Sequence, residues 1–176
     1  MNPIDMHQIA AAIRRVDSMN LDEKVRFADK IHSNQPHALL TVLGLSQHGI
    51  AMPVLEHAIH VVMVVYSAFY GTTGRNLPVI TLESLDEARR DNAMLSSAIE
   101  RGNLNPSAYL DAHPEPNILS WVYDYLREHG LLTANWGNEL LVRTLQVVVD
   151  AFAKMRVTTE QSAARRTGSS FVSAGR

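Results

Sequence analysis

Apolar residues recur along this chain at steps of three and four, the period of a helix face, and polar end signals separate the runs. Met6, Ile9, Ile13 and Val16 form the first stripe. Asn2-Pro3 ahead of it offers a cap residue and a proline suited to a first turn, so the pattern predicts a helix opening there. Asn20 with Glu23 has capping-box spacing, and Leu21, Val25, Ala28 and Ile31 make a second stripe that should end near Asn34, before Pro36. Pro36 opens a short third helix with Leu39, Val42 and Leu43 inward, stopped by the glycines of 44–49.

The fourth predicted helix starts at Pro53 and is of a different kind. From Ala58 to Tyr70 it has almost no polar face, so it belongs at the centre of a bundle. Its valines also suit a strand. The run is too long for an ordinary strand and does not alternate, and burial readily overrides the weak helix propensity of valine. After a loop over 71–78, Ser84-Leu85-Asp86-Glu87 reads as a capping box for a fifth helix. That helix turns Leu85, Ala88, Leu95 and Ile99 inward and stops at Gly102. Asn105-Pro106 is placed to start a short turn before Pro114 and Pro116. A sixth helix, from about Asn117 to His129, buries Leu119, Val122 and Leu126 and stops at Gly130. The seventh, from about Asn138 to Val157, has the strongest pattern: Leu141, Leu145, Val148 and Phe152 step by four, three and four. The fold expected is an all-α single-domain bundle of six or seven helices over 1–157. Residues Val62, Val65 and Phe69 should meet Leu145, Val148 and Phe152 at its centre.

Past Thr158 the composition turns to Ser, Thr, Ala, Gly and Arg, which cannot bury enough surface to offset the entropy of ordering, so 158–176 is expected to be a disordered basic tail. There is also a hint of internal duplication between 20–70 and 84–153. Leu21-Asp22-Glu23 recurs as Leu85-Asp86-Glu87, Pro36-His37-Ala38 loosely as Pro106-Ser107-Ala108, and His48-Gly49 as His129-Gly130. Glu56, Val64, Val65, Ala68 and Phe69 recur at identical spacing as Glu139, Val147, Val148, Ala151 and Phe152. Chance is a strong competitor, because Leu-Asp-Glu after a cap and His-Gly at a helix end are both ordinary helix-terminus chemistry.

Composition narrows the function classes. With no cysteine, disulfides, thiolate metal sites and cysteine nucleophiles all drop out, which fits a reducing cytoplasm. The first helix carries Asp5 and His7 and lacks an uninterrupted apolar core, so a signal peptide is not expected; the 53–70 run is interrupted by Glu56, His57 and His60, so neither is a membrane span. Formal net charge is −2, with Lys154, Arg156, Arg165, Arg166 and Arg176 gathered at the C-terminal end against Glu160 alone. That leaves an acidic body, unsuited to neutralising phosphates, and no nucleic-acid binding by the main domain is expected.

The candidate chemistry is sparse. His57 and His60 lie three apart on one helix and can converge on a metal, but two ligands do not make a site, and no His-Glu-x-x-His is present. Asp29 and His32 give one carboxylate-x-x-His, where a four-helix di-iron site needs two Glu-x-x-His pairs and two further Glu. No Gly-x-Ser-x-Gly elbow presents a serine, and the glycines of 71–75 lack the P-loop lysine. Trp121, Tyr123 and Tyr125 on the sixth helix read as core, with Trp136 just beyond. Catalytic residues therefore stay unassigned and no cofactor is expected. The leading reading is a non-enzymatic helical interaction or regulatory protein, with a homodimer or a protein partner covering surplus apolar surface. Its rival is a helical enzyme or small-ligand or metal-binding bundle using clustered histidines and carboxylates.

Overall fold

A computed structural model describes residues 2–73, 77–103, 105 and 110–168. Among these the chain is all-α, with no strand: α1 (Met6–Asp17), α2 (Leu21–Asn34), α3 (Pro36–Leu43), a 3-10 turn (Gly44–His48), α4 (Met52–Thr73), α5 (Leu82–Glu100), α6 (Pro116–Glu128) and α7 (Trp136–Gly168).

The apolar helix α4 is the axis. Val61, Val62, Val64, Val65, Tyr66 and Phe69 are each at most 1% exposed. Helix α1 lies along α4, with α2, α3 and α7 on its other sides. By length and composition the stretch Met52–Thr72 could cross a membrane; here it is wrapped by its own bundle. Helix α7 is the second hub, carrying α5 and α6 and touching α3 as well as α4. The two meet where the stripes predicted: Phe69 stacks on Phe152 with ring centroids 5.2 Å apart, and Leu145, Val148 and Phe152 are buried with Val62 and Val65.

Helix ends show what the period alone could not decide. Asn20 and Glu23 form their capping box, at 3.0 and 2.8 Å. Helix α1, however, is capped by Asp5 with Gln8 rather than by Asn2-Pro3, and α5 opens one turn early, at Thr81 with Ser84. In both places two oxygen-bearing residues lie within about a turn of the helix start. Stripe edges were also too generous: Leu21 is 76% exposed, Val25 53% and Met6 57%, while Phe27 takes the buried position on α2. Leu43 is exposed, unlike Leu39 and Val42. Helix α4 continues through Gly71 to Thr73, and residues 74–76 and 106–109 lie outside the described residues.

Gly49, Gly102 and Gly130 all have positive φ, and in each the following N–H reaches back five residues, from Ile50 to Leu45, Asn103 to Ala98 and Leu131 to Leu126. Arg101 rather than histidine precedes Gly102, so the His-Gly recurrence expresses a common helix stop. Leu21 starts α2 exposed, whereas Leu85 is buried in the second turn of α5. The 56–69 and 139–152 blocks do face each other through their phenylalanines.

The last helix runs past Val157 to Gly168. Two of the basic residues assigned to the C-terminal end are tied into the body, Lys154 to Asp91 and Glu87, and Arg156 to Glu115. Residues 169–176 lie outside the described residues.

Because Phe152 is fully buried against Phe69, Phe152→Ala should cost about 3–5 kcal/mol in denaturant unfolding. A change below about 0.5 kcal/mol would remove the α4–α7 contact from the centre of the fold.

Candidate functional site

Three polar features stand out, and only one contains residues singled out from the sequence. His57 and His60 project from α4 toward α6, where Tyr125 and His129, also one helical turn apart, meet them. The Tyr125 hydroxyl lies 2.9 Å from His57 Nδ1. Its ring stacks on His60 with centroids 5.1 Å apart and lies 4.2 Å from His129, which is itself 4.5 Å from His57. His129 Nδ1 is 2.8 Å from the Tyr125 carbonyl, and since a carbonyl can only accept, that nitrogen carries the proton. So the structure supplies a third imidazole that spacing on one helix could not show. Even so, among the described residues no group of three or more His, Cys, Asp or Glu is arranged to hold a metal ion. Asp29 and His32 are exposed on α2.

Burial holds the His57 and His60 pKa values below 6.5. For His57 the neighbouring His129 adds to the lowering and Glu56 opposes it. For His60 the opposing charge is Asp17, while Lys24 and the other two imidazoles reinforce the lowering. Burial, then Asp17, pushes Tyr125 up to about 12, so its hydroxyl keeps its proton and is no nucleophile at neutral pH.

The second feature is a buried charged network that joins helices far apart in sequence. His113 Nε2 lies 2.6 Å from Asp150 Oδ1, and Asn92 donates to the other Asp150 oxygen at 2.7 Å. Glu115, wholly buried just before α6, takes Arg156 on one carboxylate oxygen and the Ile4 N–H, at 2.7 Å, on the other. Arg156 reaches on to the Asn2 carbonyl, so the segment ahead of α1 is clamped to α6 and α7. The His-Asp pair resembles half of a hydrolytic triad, but the Glu115 backbone N–H donates to His113 Nδ1 at 3.0 Å. The Nε2 proton is therefore committed to Asp150, and neither ring nitrogen faces a substrate, as a general base must. This network positions chain segments.

The third feature is a cleft of ≈ 530 Å³ between α3, the 3-10 turn, α5 and α7. Leu45, Leu140 and Val147 give it apolar walls, Thr41, Ser96 and Thr144 place hydroxyl-bearing residues along it, and Arg89, Arg143 and His48 bring nitrogen. Arg89 is paired with Asp86 at 2.6 Å, while Arg143 enters no ion pair among the described residues. Asn92 also lines this cleft, and its Oδ1 is the one buried side-chain polar atom without a hydrogen-bond partner among the described residues. A smaller cleft shares Ser96 and Arg143 and continues along α7 to Leu132 and Thr133.

Sequence reasoning missed His129, His113, Glu115, Asp150, Arg156, Asn92 and Arg143. Tyr125 and His129 at i and i+4 were a visible pairing on one helix; the others carry no local signal, since their partners arrive from separate helices.

Comparison with known proteins adds no relative: no protein-family model matches the chain, and neither curated proteins nor solved structures give a significant match.

Arg156→Met, which leaves the Glu115 carboxylate buried beside a single backbone donor, should lower stability by roughly 3–5 kcal/mol. Pairing it with Glu115→Gln should recover part of that loss. Equal losses in the single and double variants, by chemical denaturation, would show that the two side chains are not coupled.

Proposed function

We propose that this chain is a non-enzymatic binding protein, and that the cleft between α3, α5 and α7 is where it takes a small amphipathic anion. The volume of ≈ 530 Å³ falls in the range of ligand sites, and such sites are mostly apolar with a few placed polar groups. The observation that carries the reading is a guanidinium, that of Arg143, which enters no ion pair among the described residues and lines a cleft whose walls at Leu45, Leu140 and Val147 are apolar. The arginine favours a carboxylate, sulfonate or phosphate at one end of the ligand.

A second reading is favoured by the exposed apolar side chains along the same rim. Leu40 is 49% exposed and Trp136 63%, the latter edge-on to His48 with ring centroids 6.2 Å apart. On this reading the cleft is part of a surface for a protein partner or a second copy of the chain.

The fluorescent anion 8-anilino-1-naphthalenesulfonate carries an aromatic body, a sulfonate and one N–H, and is the appropriate probe. Titration of the folded protein should saturate at one site per chain, and Arg143→Glu, a change at an exposed position, should weaken binding at least about tenfold, or roughly 1.4 kcal/mol. Unsaturable binding, or equal affinity in the variant, would sink the ligand reading. Sedimentation showing self-association abolished by Trp136→Ser would establish the second.

A further inference from the structure

We propose that His57, His60 and His129, gathered around Tyr125, form an acid-sensitive latch that holds the C-terminal end of α6 against α4 while the imidazoles are neutral and releases it when they take up protons. The geometry supplies each part. The α4 and α6 backbones make few close approaches, so at this end the contact between them is made by rings. Four rings interleave, two from each helix, with centroid separations from 4.2 to 5.8 Å. Neutral imidazole stacks on a phenol and accepts from or donates to it; three imidazolium ions in the same space repel one another.

The surrounding charge does not cancel that repulsion. From α1, Asp17 faces His60, its Oδ1 3.7 Å from Nε2. From α2, Lys24 bears on the same ring, and on α4 itself Glu56 stands beside His57. With every histidine protonated, the cluster would hold three imidazolium ions and Lys24 against two carboxylates. His57 and His129, with centroids 4.5 Å apart, are the closest like pair, and among the described residues Glu56 is the one carboxylate that bears on His57.

The sign follows from the lowered values of His57 and His60. A histidine that binds its proton less readily in the folded than in the unfolded chain contributes stability that is complete above about 6.5 and is lost as pH falls through its folded-state value. The latch is thus closed at neutral pH and opens on mild acidification. Release acts first on the turn at His129 and Gly130, and on Leu131 beyond it, because these follow directly on the ring cluster.

Hydrogen exchange on the full chain tests this. Between pH 7.5 and 5.5, after correction for intrinsic exchange, amide protection over 125–131 should fall at least about tenfold. Protection at the α4–α7 core, around Phe69 and Phe152, should hold. In parallel, the thermal midpoint of the wild type should drop over that range. The drop should be at least halved in His57→Gln/His129→Gln and unchanged in His32→Gln, which alters an exposed histidine outside the cluster. A wild type whose 125–131 protection is flat across the range overturns the proposal. So does a double variant that folds and loses as much thermal stability on acidification as the parent. Should the double variant fail to fold, the wild-type exchange profile alone decides.

Discussion

A helix without a polar face cannot sit at a surface, and everything else in this molecule arranges itself around that constraint. From Val61 to Phe69 helix α4 is buried in every direction, and all its side chains there but Ser67 are valine, alanine, methionine or aromatic. Covering it takes four other helices, and α1, α2, α3 and α7 do so. Each covering helix needs only a stripe: Ile9, Ala12 and Val16 on α1, or Phe27 and Ile31 on α2. Helix α7 must do more, since it also carries α5 and α6, and its apolar positions from Leu141 to Met155 accordingly spread beyond one stripe.

Once the axis is apolar, the buried polar groups tie connections and neighbouring helices together, and among the described residues Asn92 Oδ1 alone of their buried side-chain polar atoms has no hydrogen-bond partner. Gln35 bridges the end of α2 to the segment before α5, donating to the Pro78 carbonyl at 2.6 Å and accepting from the Ile80 N–H at 2.7 Å. Glu115 does the same for the N-terminal segment through Ile4 and Arg156. Buried ion pairs contribute little net stability compared with apolar replacements, but an unpaired member is expensive, so such contacts discriminate against wrong arrangements of the connections. They act on placement, where an apolar core is permissive.

This division explains what could be read in advance. Helices α1 to α7 follow the apolar period, and α6 and α7 bury Leu119, Val122, Leu126, Leu141, Leu145, Val148 and Phe152 as their spacing requires. Cap choice at Asp5 and Thr81 was ambiguous because several oxygen-bearing residues lay within a turn of each start. The polar sites were legible only in halves. His57 and His60 share a helix and so a spacing, whereas Tyr125 and His129 reach them through tertiary packing, which no single-helix pattern encodes. Asp150 and Arg156 sit within an apolar helix where sequence alone cannot distinguish a buried charge from a solvated one.

The ring cluster and the cleft are neighbours along the chain, and this has a mechanical consequence. Beyond His129 the chain turns at Gly130, buries Leu131, and passes Leu132 and Thr133, which line the smaller cleft that shares Ser96 and Arg143 with the main one. Helix α7 then begins at Trp136, whose ring contacts His48 on the main cleft. Six residues, 130–135, separate His129 from Trp136, so a short connection joins the end of α6 to the helix that carries Arg143. The opposite end of α6 is held by the buried pair of Glu115 and Arg156. Coupling between the two sites needs no long path of side chains; it needs only that the short connection from Gly130 to Asn135 be too brief to absorb a shift of the end of α6. Hydrogen bonds from Asn135 to Thr133 and from Asn138 to both tie that connection to the start of α7.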